Sequence, residues 1–281
     1  MHIFREIIPL RAYLKDHRSL NSSIGLVPTM GALHPGHLSL VQKSKTENTT
    51  TVCSIFLNPT QFNNPFDLAA YPRTLDKDIQ MLQEVNCDAL FCPATNEMYS
   101  EHASLAFDVG PIGRILEGEF RPGHFSGVVL VVSKLLNIVQ PQRAYFGQKD
   151  FQQFAVIDRL VQDLAFDVTL VCVPIVRESD GLAMSSRNIR LNADERQRST
   201  VLYQCLIHAR NGLLAKKSFN DINVEVSDFC FRQQVVLEYL ALADRRNMTL
   251  LNGICDPRCA VLLIAARVGN IRLIDNLLLI E

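Results

Sequence analysis

The segment from Val27 to His37 constrains the fold of this chain more than any other stretch. A short apolar run ends at Val27, glycine and proline interrupt it, and a helix-like segment begins at Leu38. Such a strand–turn–helix junction directs backbone N–H groups and the positive end of a helix dipole at one point. His34 and His37, separated only by Pro-Gly, add two imidazole donors there. The junction therefore predicts an anion site, and a nucleotide phosphate is the anion it favours.

Two other interpretations of His34 and His37 stay open at this point. A single histidine is more often a surface residue or a satisfied core residue than a ligand-binding group. Metal binding would need further ligands beyond a pair at this spacing, and none is evident nearby in the sequence. The Pro-Gly dipeptide between the two histidines, at a strand–helix turn, favours phosphate.

Composition limits the classes of partner. The chain has 281 residues, 48% of them hydrophobic and 20% charged, enough for one large domain or two ordinary ones. A net charge of −1 argues against nucleic acid as the main partner, which needs a basic excess. No apolar run reaches about 18 residues and no leader-like pattern begins the chain, so we expect no membrane span and a cytoplasmic location.

The eight cysteines form no Cys-x-x-Cys pair. The two that lie nearest in sequence, Cys255 and Cys259, have no histidine or cysteine partners at zinc spacing. We expect reduced cysteines that act as small core hydrophobes.

The first part of the chain alternates apolar, β-branched runs with helix-like segments. Strands are expected at 23–27, 51–57, 89–93, 143–146 and 168–175. Helices are expected at 3–20, 38–44, 75–85 and 126–139, the last capped by Ser126, and after 147–150 through 164. The many valines of 126–139 leave a strand open as the alternative there. Residues 94–124 have no regular pattern, and so long an irregular stretch is more often functional than idle. The alternation predicts a parallel sheet with right-handed crossovers.

The pattern changes after residue 178. A long helix capped by Asn192 is expected at 193–214, a linker at 216–223, and a second helix at 224–240. Gly269-Asn270 joins two strand-like segments, 260–268 and 271–275, as a hairpin. We therefore predict two domains, residues 1–178 with the parallel sheet and a smaller α+β domain over 179–281, with the active site in the cleft between them.

Two other polar stretches and two separate glutamines could contribute to a phosphate or substrate site. Gly147–Asp150 places a lysine at a second helix start, although it is not a P-loop and an exposed lysine there is common. Met184–Arg187 offers two hydroxyls and a guanidinium, or is only a polar surface loop. Gln61 and Gln153 can both donate and accept hydrogen bonds, which suits a substrate with hydroxyl and carboxylate groups, or they are surface glutamines.

Several stretches occur together, in order and at similar separations, as they do in the pantothenate synthetase family, also called pantoate–β-alanine ligases. They are 28–37, 56–62, 71–74, 146–153, 180–188 and 272–276. The chain closely resembles that family along its whole length. His-Pro-Gly-His by itself marks only the wider group of nucleotidyl-transferring folds, which includes class I aminoacyl-tRNA synthetases.

The resemblance implies a fold, a reaction and an assembly. The fold would be a Rossmann-like, nucleotidyltransferase-type parallel sheet with a smaller α+β C-terminal domain. The reaction would condense pantoate with β-alanine and ATP to give pantothenate, AMP and pyrophosphate, through an enzyme-bound pantoyl adenylate. ATP would bring Mg²⁺ with it, and the protein would be a homodimer.

The resemblance also implies roles for individual residues. His37 would be a proton donor, acting with His34, Lys149, Ser185, Ser186 and Arg187 on the phosphates. The ATP-binding set would be Met30, Gly31, Ala32, Leu33, His34, Pro35, Gly36, His37, Gly147, Gln148, Lys149, Asp150, Val176, Met184, Ser185, Ser186 and Arg187. The substrates would contact Gln61, Gln153, Arg121, His124 and Asn58. Asp78 would be a metal contact, through water, because Lys77 stands where some relatives carry an acidic residue.

Three other functions compete with the ligase. A nucleotidyltransferase that stops at a nucleotide-linked product would release pyrophosphate but no AMP. A catalytically inactive nucleotide-binding protein would be expected to have lost some of the histidines, lysine, glutamines or the serine–arginine loop, and all of them are present. A tRNA synthetase is disfavoured because the chain lacks room for an anticodon domain and has no basic excess.

Overall fold

A computed structural model describes residues 1–20, 22–99, 105–254 and 256–280. Its strands are β1 (His2–Phe4), β2 (Ile24–Thr29), β3 (Thr50–Ile55), β4 (Ala89–Phe91), β5 (Arg143–Gly147), β6 (Thr169–Val173), β7 (Val236–Asp244), β8 (Ala260–Val268) and β9 (Ile271–Leu278). Its α-helices are α1 (Ile7–Ser19), α2 (Pro35–Glu47), α3 (Pro65–Ala69), α4 (Leu75–Glu84), α5 (Thr95–Met98), α6 (Glu117–Phe120), α7 (His124–Val139), α8 (Phe151–Asp163), α9 (Ala193–Arg198), α10 (Val201–Leu214) and α11 (Phe219–Arg232).

The larger of the two sheets is parallel and six-stranded, with the order β1-β4-β3-β2-β5-β6. Val27 and Cys53 lie in one core cluster with Leu40 of α2, while Leu26 and Val52 are also fully buried. Both faces of the central strands are therefore covered, which explains their nearly continuous apolar runs. The predicted α/β class with a parallel sheet is confirmed.

The strand order reverses at the centre of this sheet. From β2, the chain adds β3 and β4 on one side, and later β5 and β6 on the other. In open parallel sheets, ligands bind outside the carboxyl ends of the strands at such a switch point. Here β2, which lies beside β5 at the switch point, leads into the histidine turn.

Helix α7 confirms the helix predicted at 126–139 but begins two residues earlier. Ser126 is not its cap; Gly123 occupies that position with a φ of 81°, a conformation that L side chains rarely adopt. The valines of α7 pack on a helical face, and Val128, Val131 and Val132 are buried. Burial of that face outweighs the β propensity of the valines.

The prediction of a helix at 224–240 was wrong. The helix runs instead over 219–232 and ends before Gln234, whose φ of 55° stops it. The following residues form β7, which pairs antiparallel with β8 in a three-stranded sheet, β7-β8-β9. Apolar spacing alone fits either element, and pairing with a strand more distant in sequence decided between them. The β8–β9 hairpin is confirmed.

Three smaller predictions also need correction. Residues 3–20 are not one helix, because His2–Phe4 pairs with β4 before α1 begins. The helix expected at 193–214 keeps its Asn192 cap, in a capping box with Glu195, but breaks between α9 and α10. The irregular stretch 94–124 contains α5 and α6 in its described part. Its residues 100–104, and Cys255, lie outside the described residues.

The described chain divides into two compact units. One comprises Met1–Gly147 with Val156–Pro174, and the other comprises Gln148–Ala155 with Ile175–Glu281. The domain boundary that the sequence indicates after residue 178 stays a prediction. Among the described residues, no helix combines the length and the apolar character needed to cross a bilayer.

The cysteines differ in burial, and this leads to a labelling prediction. Burial raises the pKa of Cys87 to about 11 and raises that of Cys53 well above its usual value, whereas Cys172 on β6 is exposed. At pH 8 only about a thousandth of Cys87 would be thiolate, the reactive form. Brief alkylation of the native protein followed by peptide mass spectrometry should therefore modify Cys172 and leave Cys53 and Cys87 unmodified until urea is added. Equal labelling of Cys87 and Cys172 in the native protein would contradict this.

Candidate active site

The turn after β2 adopts an unusual backbone conformation. Gly31 has a φ of 82° and Ala32 a φ of 51°, so two successive residues are left-handed, and the second carries a side chain. A Cβ on Gly31 would lie 3.0 Å from Ile55 Cγ2 and 3.2 Å from Asp78 Oδ2, which leaves little room for one. A left-handed residue other than glycine is costly, so contacts outside the turn must hold it in place.

Asp78, near the start of α4, supplies those contacts. Its Oδ2 accepts a hydrogen bond from the Ala32 N–H at 2.9 Å, and its Oδ1 accepts one from the Leu33 N–H at 2.8 Å. The Thr74 hydroxyl donates to the same Oδ1 at 3.1 Å. The carboxylate is buried, at 1% exposure, so these are charge-assisted bonds shielded from water. Asp78 therefore stabilises the turn that precedes the histidines.

The two histidines lie together at the start of α2. His34 is the N-cap residue and Pro35 opens the helix, so its missing N–H costs nothing there. The His34 and His37 ring centroids are 4.0 Å apart, and both side chains are half-buried. Two imidazoles thus flank the positive end of a 13-residue helix, which favours an anion.

Asn58 organises the loop that carries Gln61. Its Oδ1 accepts hydrogen bonds from the Thr60 hydroxyl and from the Tyr99 phenol, both at 2.9 Å, and its Nδ2 donates to Gln61 Oε1 at 3.1 Å. Burial raises the pKa of Tyr99, which keeps its phenol a hydrogen-bond donor. Because Gln61 Oε1 is held by Asn58, the Gln61 amide NH₂ points the other way, 2.9 Å from Met30 Sδ. The structure therefore brings Met30, Asn58 and Gln61 together.

His124 fixes the backbone of Gln61 from the start of α7. The Gln61 carbonyl oxygen can only accept, so His124 Nδ1 donates to it, at 2.8 Å. Arg121 Nη1 donates to the other ring nitrogen at 3.2 Å, which sets a neutral imidazole with its proton on Nδ1. His124 is buried at 5% exposure. Of these two expected substrate contacts, His124 therefore bonds the Gln61 backbone directly, and Arg121 bonds His124.

Close packing of α7 supports the same loop. A Cβ on Gly127 would lie 2.2 Å from the Thr60 carbonyl oxygen, and that contact is with backbone, which cannot move aside. The Gly127 carbonyl oxygen accepts a hydrogen bond from Asn58 Nδ2 at 3.1 Å. Only glycine therefore allows α7 to approach the Pro59–Gln61 turn this closely.

In the second compact unit, a strand holds the turn that carries Lys149. Asn276 of β9 donates through Nδ2 to the carbonyl oxygens of Gln148 and Lys149, both at 2.9 Å. Gln148 Nε2 donates back to Asn276 Oδ1 at 3.2 Å. Asn276 is buried, at 1% exposure, whereas Lys149 is half-buried. Gln153 lies half-buried in the first turn of α8.

The serine–arginine loop follows a short hairpin. Met184 N–H donates to the Val176 carbonyl oxygen at 3.0 Å, and Arg187 N–H donates to Ser185 Oγ at 3.2 Å. Asn188 Nδ2 donates to the Ala183 carbonyl oxygen at 3.1 Å. Ser185, Ser186 and Arg187 are half-buried and consecutive.

Arg177 ties this hairpin to β9. It forms a two-pronged ion pair with Asp275, at 2.6 Å and 3.0 Å, and donates to the Gly181 carbonyl oxygen at 3.0 Å. Its guanidinium lies 4.1 Å from the centroid of the Tyr203 ring. Burial raises the pKa of Asp275, and the hydrogen bonds from Arg177 oppose that rise.

Comparison with known proteins identifies the family. A family model described as pantoate-beta-alanine ligase matches residues 2–278. The chain belongs to the pantoate–β-alanine ligase family. Its relatives include the pantothenate synthetases of Cytophaga hutchinsonii, 43% identical with 96% of each chain covered, and of Thermotoga petrophila, 44% identical with 99% of this chain and 100% of the relative covered.

Solved structures agree with this membership. The pantothenate synthetase of Thermus thermophilus superposes with a TM-score of 0.93 at 40% identity, covering 100% of both chains. The Francisella tularensis pantoate-beta-alanine ligase, complexed with beta-gamma ATP and beta-alanine, gives a TM-score of 0.81 at 35% identity, with 100% and 98% covered. The predicted nucleotidyltransferase-type fold and ligase class are confirmed, and the chain is an enzyme of pantothenate biosynthesis.

The sequence indicated the residues with chemistry suited to the site, but it did not reveal several residues that hold them in place. It gave Asp78 only a metal contact, whereas its oxygens bind the Ala32 and Leu33 amides; the metal role stays a prediction. Tyr99 and Arg177 carried no signal in the sequence that would single them out. Asp275 and Asn276 stood within a stretch that supported the family resemblance, but no role followed from it.

Proposed function

We propose that this chain condenses pantoate with β-alanine at the expense of ATP, releasing AMP and pyrophosphate. In the first step a pantoate carboxylate oxygen attacks the α-phosphorus, and the bond to pyrophosphate breaks. In the second step the β-alanine amine attacks the acyl carbon of the pantoyl adenylate, AMP leaves, and the amine proton passes to solvent. Neither step needs a protein nucleophile, so the protein contributes alignment and charge stabilisation.

The pair of histidines at the start of α2 is the observation that carries this proposal. Their rings lie 4.0 Å apart, on a turn whose backbone Asp78 holds with two hydrogen bonds. A preorganised cluster of donors at a helix N-terminus can stabilise charge that develops on phosphate oxygens. His34 and His37 are proposed to donate to the triphosphate, with His37 as the proton donor.

Further donors are proposed for the same phosphates. Lys149 would supply a fixed positive charge, and Ser185, Ser186 and Arg187 would supply hydroxyl and guanidinium donors. The nucleotide would be lined by Met30, Gly31, Ala32, Leu33, Pro35, Gly36, Gly147, Gln148, Asp150, Val176 and Met184. The Francisella relative with bound beta-gamma ATP and beta-alanine supports ATP as the nucleotide here.

The pantoate contacts are proposed to centre on Gln61 and Gln153. Because Asn58 donates to Gln61 Oε1 and one N–H of the Gln61 amide faces Met30 Sδ, the second N–H is the one proposed to donate to a substrate oxygen. Arg121 and His124 would act by holding Gln61, in keeping with the His124 bond to its carbonyl oxygen. Asn58 would act in the same indirect way.

The metal and assembly remain part of the proposal. Mg²⁺ would enter with ATP and neutralise its phosphates. The described part of the chain contains no group of three metal-ligating side chains, and the Asp78 oxygens already accept amide and hydroxyl donors, so a site built mainly of protein ligands does not fit. We further propose a cytoplasmic homodimer.

Two measurements test the reaction. AMP release in a coupled assay should require pantoate, β-alanine and ATP together. Exchange of labelled pyrophosphate into ATP should require pantoate alone, because the adenylate forms before β-alanine reacts. Release of pyrophosphate without AMP would instead indicate a nucleotidyltransferase, and exchange that needs β-alanine would contradict the two-step scheme.

A further inference from the structure

The stretch Arg272–Asn276 on β9 has no part in the function proposed so far. Within it, Asp275 and Asn276 are both buried, at 4% and 1% exposure. Buried polar side chains are costly unless their hydrogen bonds are satisfied. The partners of these two residues therefore indicate what the chain gains by burying them.

Asn276 is bonded to the backbone on both sides of the Lys149 Cα. Its NH₂ group donates to the carbonyl oxygens of Gln148 and Lys149, each at 2.9 Å, and its own carbonyl accepts from the Gln148 side chain. Both N–H bonds of the amide are thus used on one short backbone segment. That segment carries the Cα from which the Lys149 side chain extends.

Asp275 pairs with the hairpin that precedes the other proposed phosphate donors, Ser185–Arg187. Its two oxygens pair with Arg177, which also donates to the carbonyl oxygens of Gly181 and Asn276. The backbone N–H of Asn276 also donates a hydrogen bond to Asp275 Oδ1, at 2.8 Å. The hairpin that leads into Ser185–Arg187 therefore shares an anchor with the Lys149 turn.

We propose that Asp275 and Asn276 form a positioning pair, which fixes the backbone of Lys149 and of the Ser185–Arg187 loop for binding the phosphates of ATP. Asn276 acts on Lys149, and Asp275 acts through Arg177 on the loop. Both residues are buried, so they are proposed to act through these groups and not by contact with a substrate. The proposal rests on the proposed function, since it assigns these two residues to the step in which pyrophosphate leaves.

Asn276→Asp is the most discriminating change. The two side chains have the same shape, but the variant replaces the donating NH₂ group with an oxygen that faces two carbonyl oxygens. Water cannot replace the lost bonds at a buried site. A displacement of about 1 Å at a positioned group can cost on the order of a hundredfold in rate, so we expect pyrophosphate–ATP exchange to fall roughly 30- to 100-fold.

Three readouts separate positioning from a general loss of structure. Transfer of synthetic pantoyl adenylate to β-alanine, in which no pyrophosphate leaves, should change by less than about threefold. In a Lys149→Ala background, Asn276→Asp should add less than about threefold further loss of exchange, because the two residues act through one group. Asn276→Ser, which keeps one hydroxyl donor and adds no charge, should give an intermediate loss.

The matched control is Arg272→Gln on the same strand. Arg272 lies in the same stretch, but its Nε pairs with Glu238 of β7, at 2.6 Å, and not with the backbone of the Lys149 turn. Its exchange rate should stay within about twofold of the wild-type rate, as expected for a change away from the site. An equal loss in Arg272→Gln would overturn the proposal, because it would mean that any weakening of the sheet is sufficient.

Some outcomes would contradict the positioning role and leave the proposed function intact. One such outcome is that the wild-type protein catalyses exchange and Asn276→Asp catalyses it at a near-normal rate. Equal losses of exchange and of transfer, or losses that multiply fully with Lys149→Ala, defeat it as well. Absence of pantoate-dependent exchange in the wild-type protein defeats the proposed function, and with it the positioning role.

Discussion

Replacing His37 with alanine is expected to lower pyrophosphate–ATP exchange by more than about a hundredfold, as loss of one preorganised donor can. The ring of His37 lies in the first turn of α2, 4.0 Å from that of His34, on a helix whose preceding turn Asp78 restrains. The donor is therefore already in place before the reaction, and alanine offers no group to replace it. Exchange with saturating ATP and pantoate measures this effect.

His208→Ala is the matched control for His37→Ala. His208 lies on α10, is largely exposed and pairs with Glu225 on the surface. Its removal should leave exchange unchanged. A His37→Ala protein with intact circular dichroism and a near-normal exchange rate would exclude a role for His37 in the first step.

Replacing Asp78 with alanine is expected to lower the free energy of unfolding by about 3 kcal/mol, since two buried N–H groups lose their acceptor. The Ala32 and Leu33 amides would be left unpaired in a turn where Ala32 already has a φ of 51°. The same change should lower exchange, because the turn leads directly into His34. Urea unfolding with EDTA present measures the stability effect without any metal.

Asp76→Ala provides the control for the Asp78 change. Asp76 lies in the same first turn of α4, so it places the same negative charge near the positive end of the helix dipole. Unlike Asp78, it is not buried. Its removal should cost less than about 0.5 kcal/mol, as for most surface changes. If Asp78→Ala unfolds like the wild-type protein in EDTA and loses only Mg²⁺-dependent activity, Asp78 is a metal contact and not a support for the turn.

The proposed site residues include groups that a sequence can reveal, and they depend on supporting residues that it cannot. The Pro-Gly between the histidines, the lysine after a buried strand and the serine–arginine stretch are local patterns whose chemistry can be read directly. The acceptor for the Ala32 amide lies 46 residues away, and the anchor for the Lys149 carbonyl lies 127 residues away. No local pattern specifies such a partner.

The same distinction holds for the fold. Buried strands such as β2 and β3 were predicted because an apolar run between turn residues is a local property, and α7 was predicted from its helical spacing. Strand β1, with only three residues, and strand β7 were missed because each depends on a partner strand distant in sequence. Local periodicity says which segments can be regular, but strand pairing decides which of them become strands.

The sequence by itself determined the family, the β–α alternation and the set of residues with chemistry suited to phosphates. Only the tertiary structure decided what holds those residues in place: Asp78 on the left-handed turn, Asn58 and His124 on Gln61, and Asn276 on Lys149. The physical reason is that side-chain chemistry and turn propensity belong to single residues and their neighbours. A buried hydrogen bond exists only when the folded chain brings a donor and an acceptor together and excludes water from both.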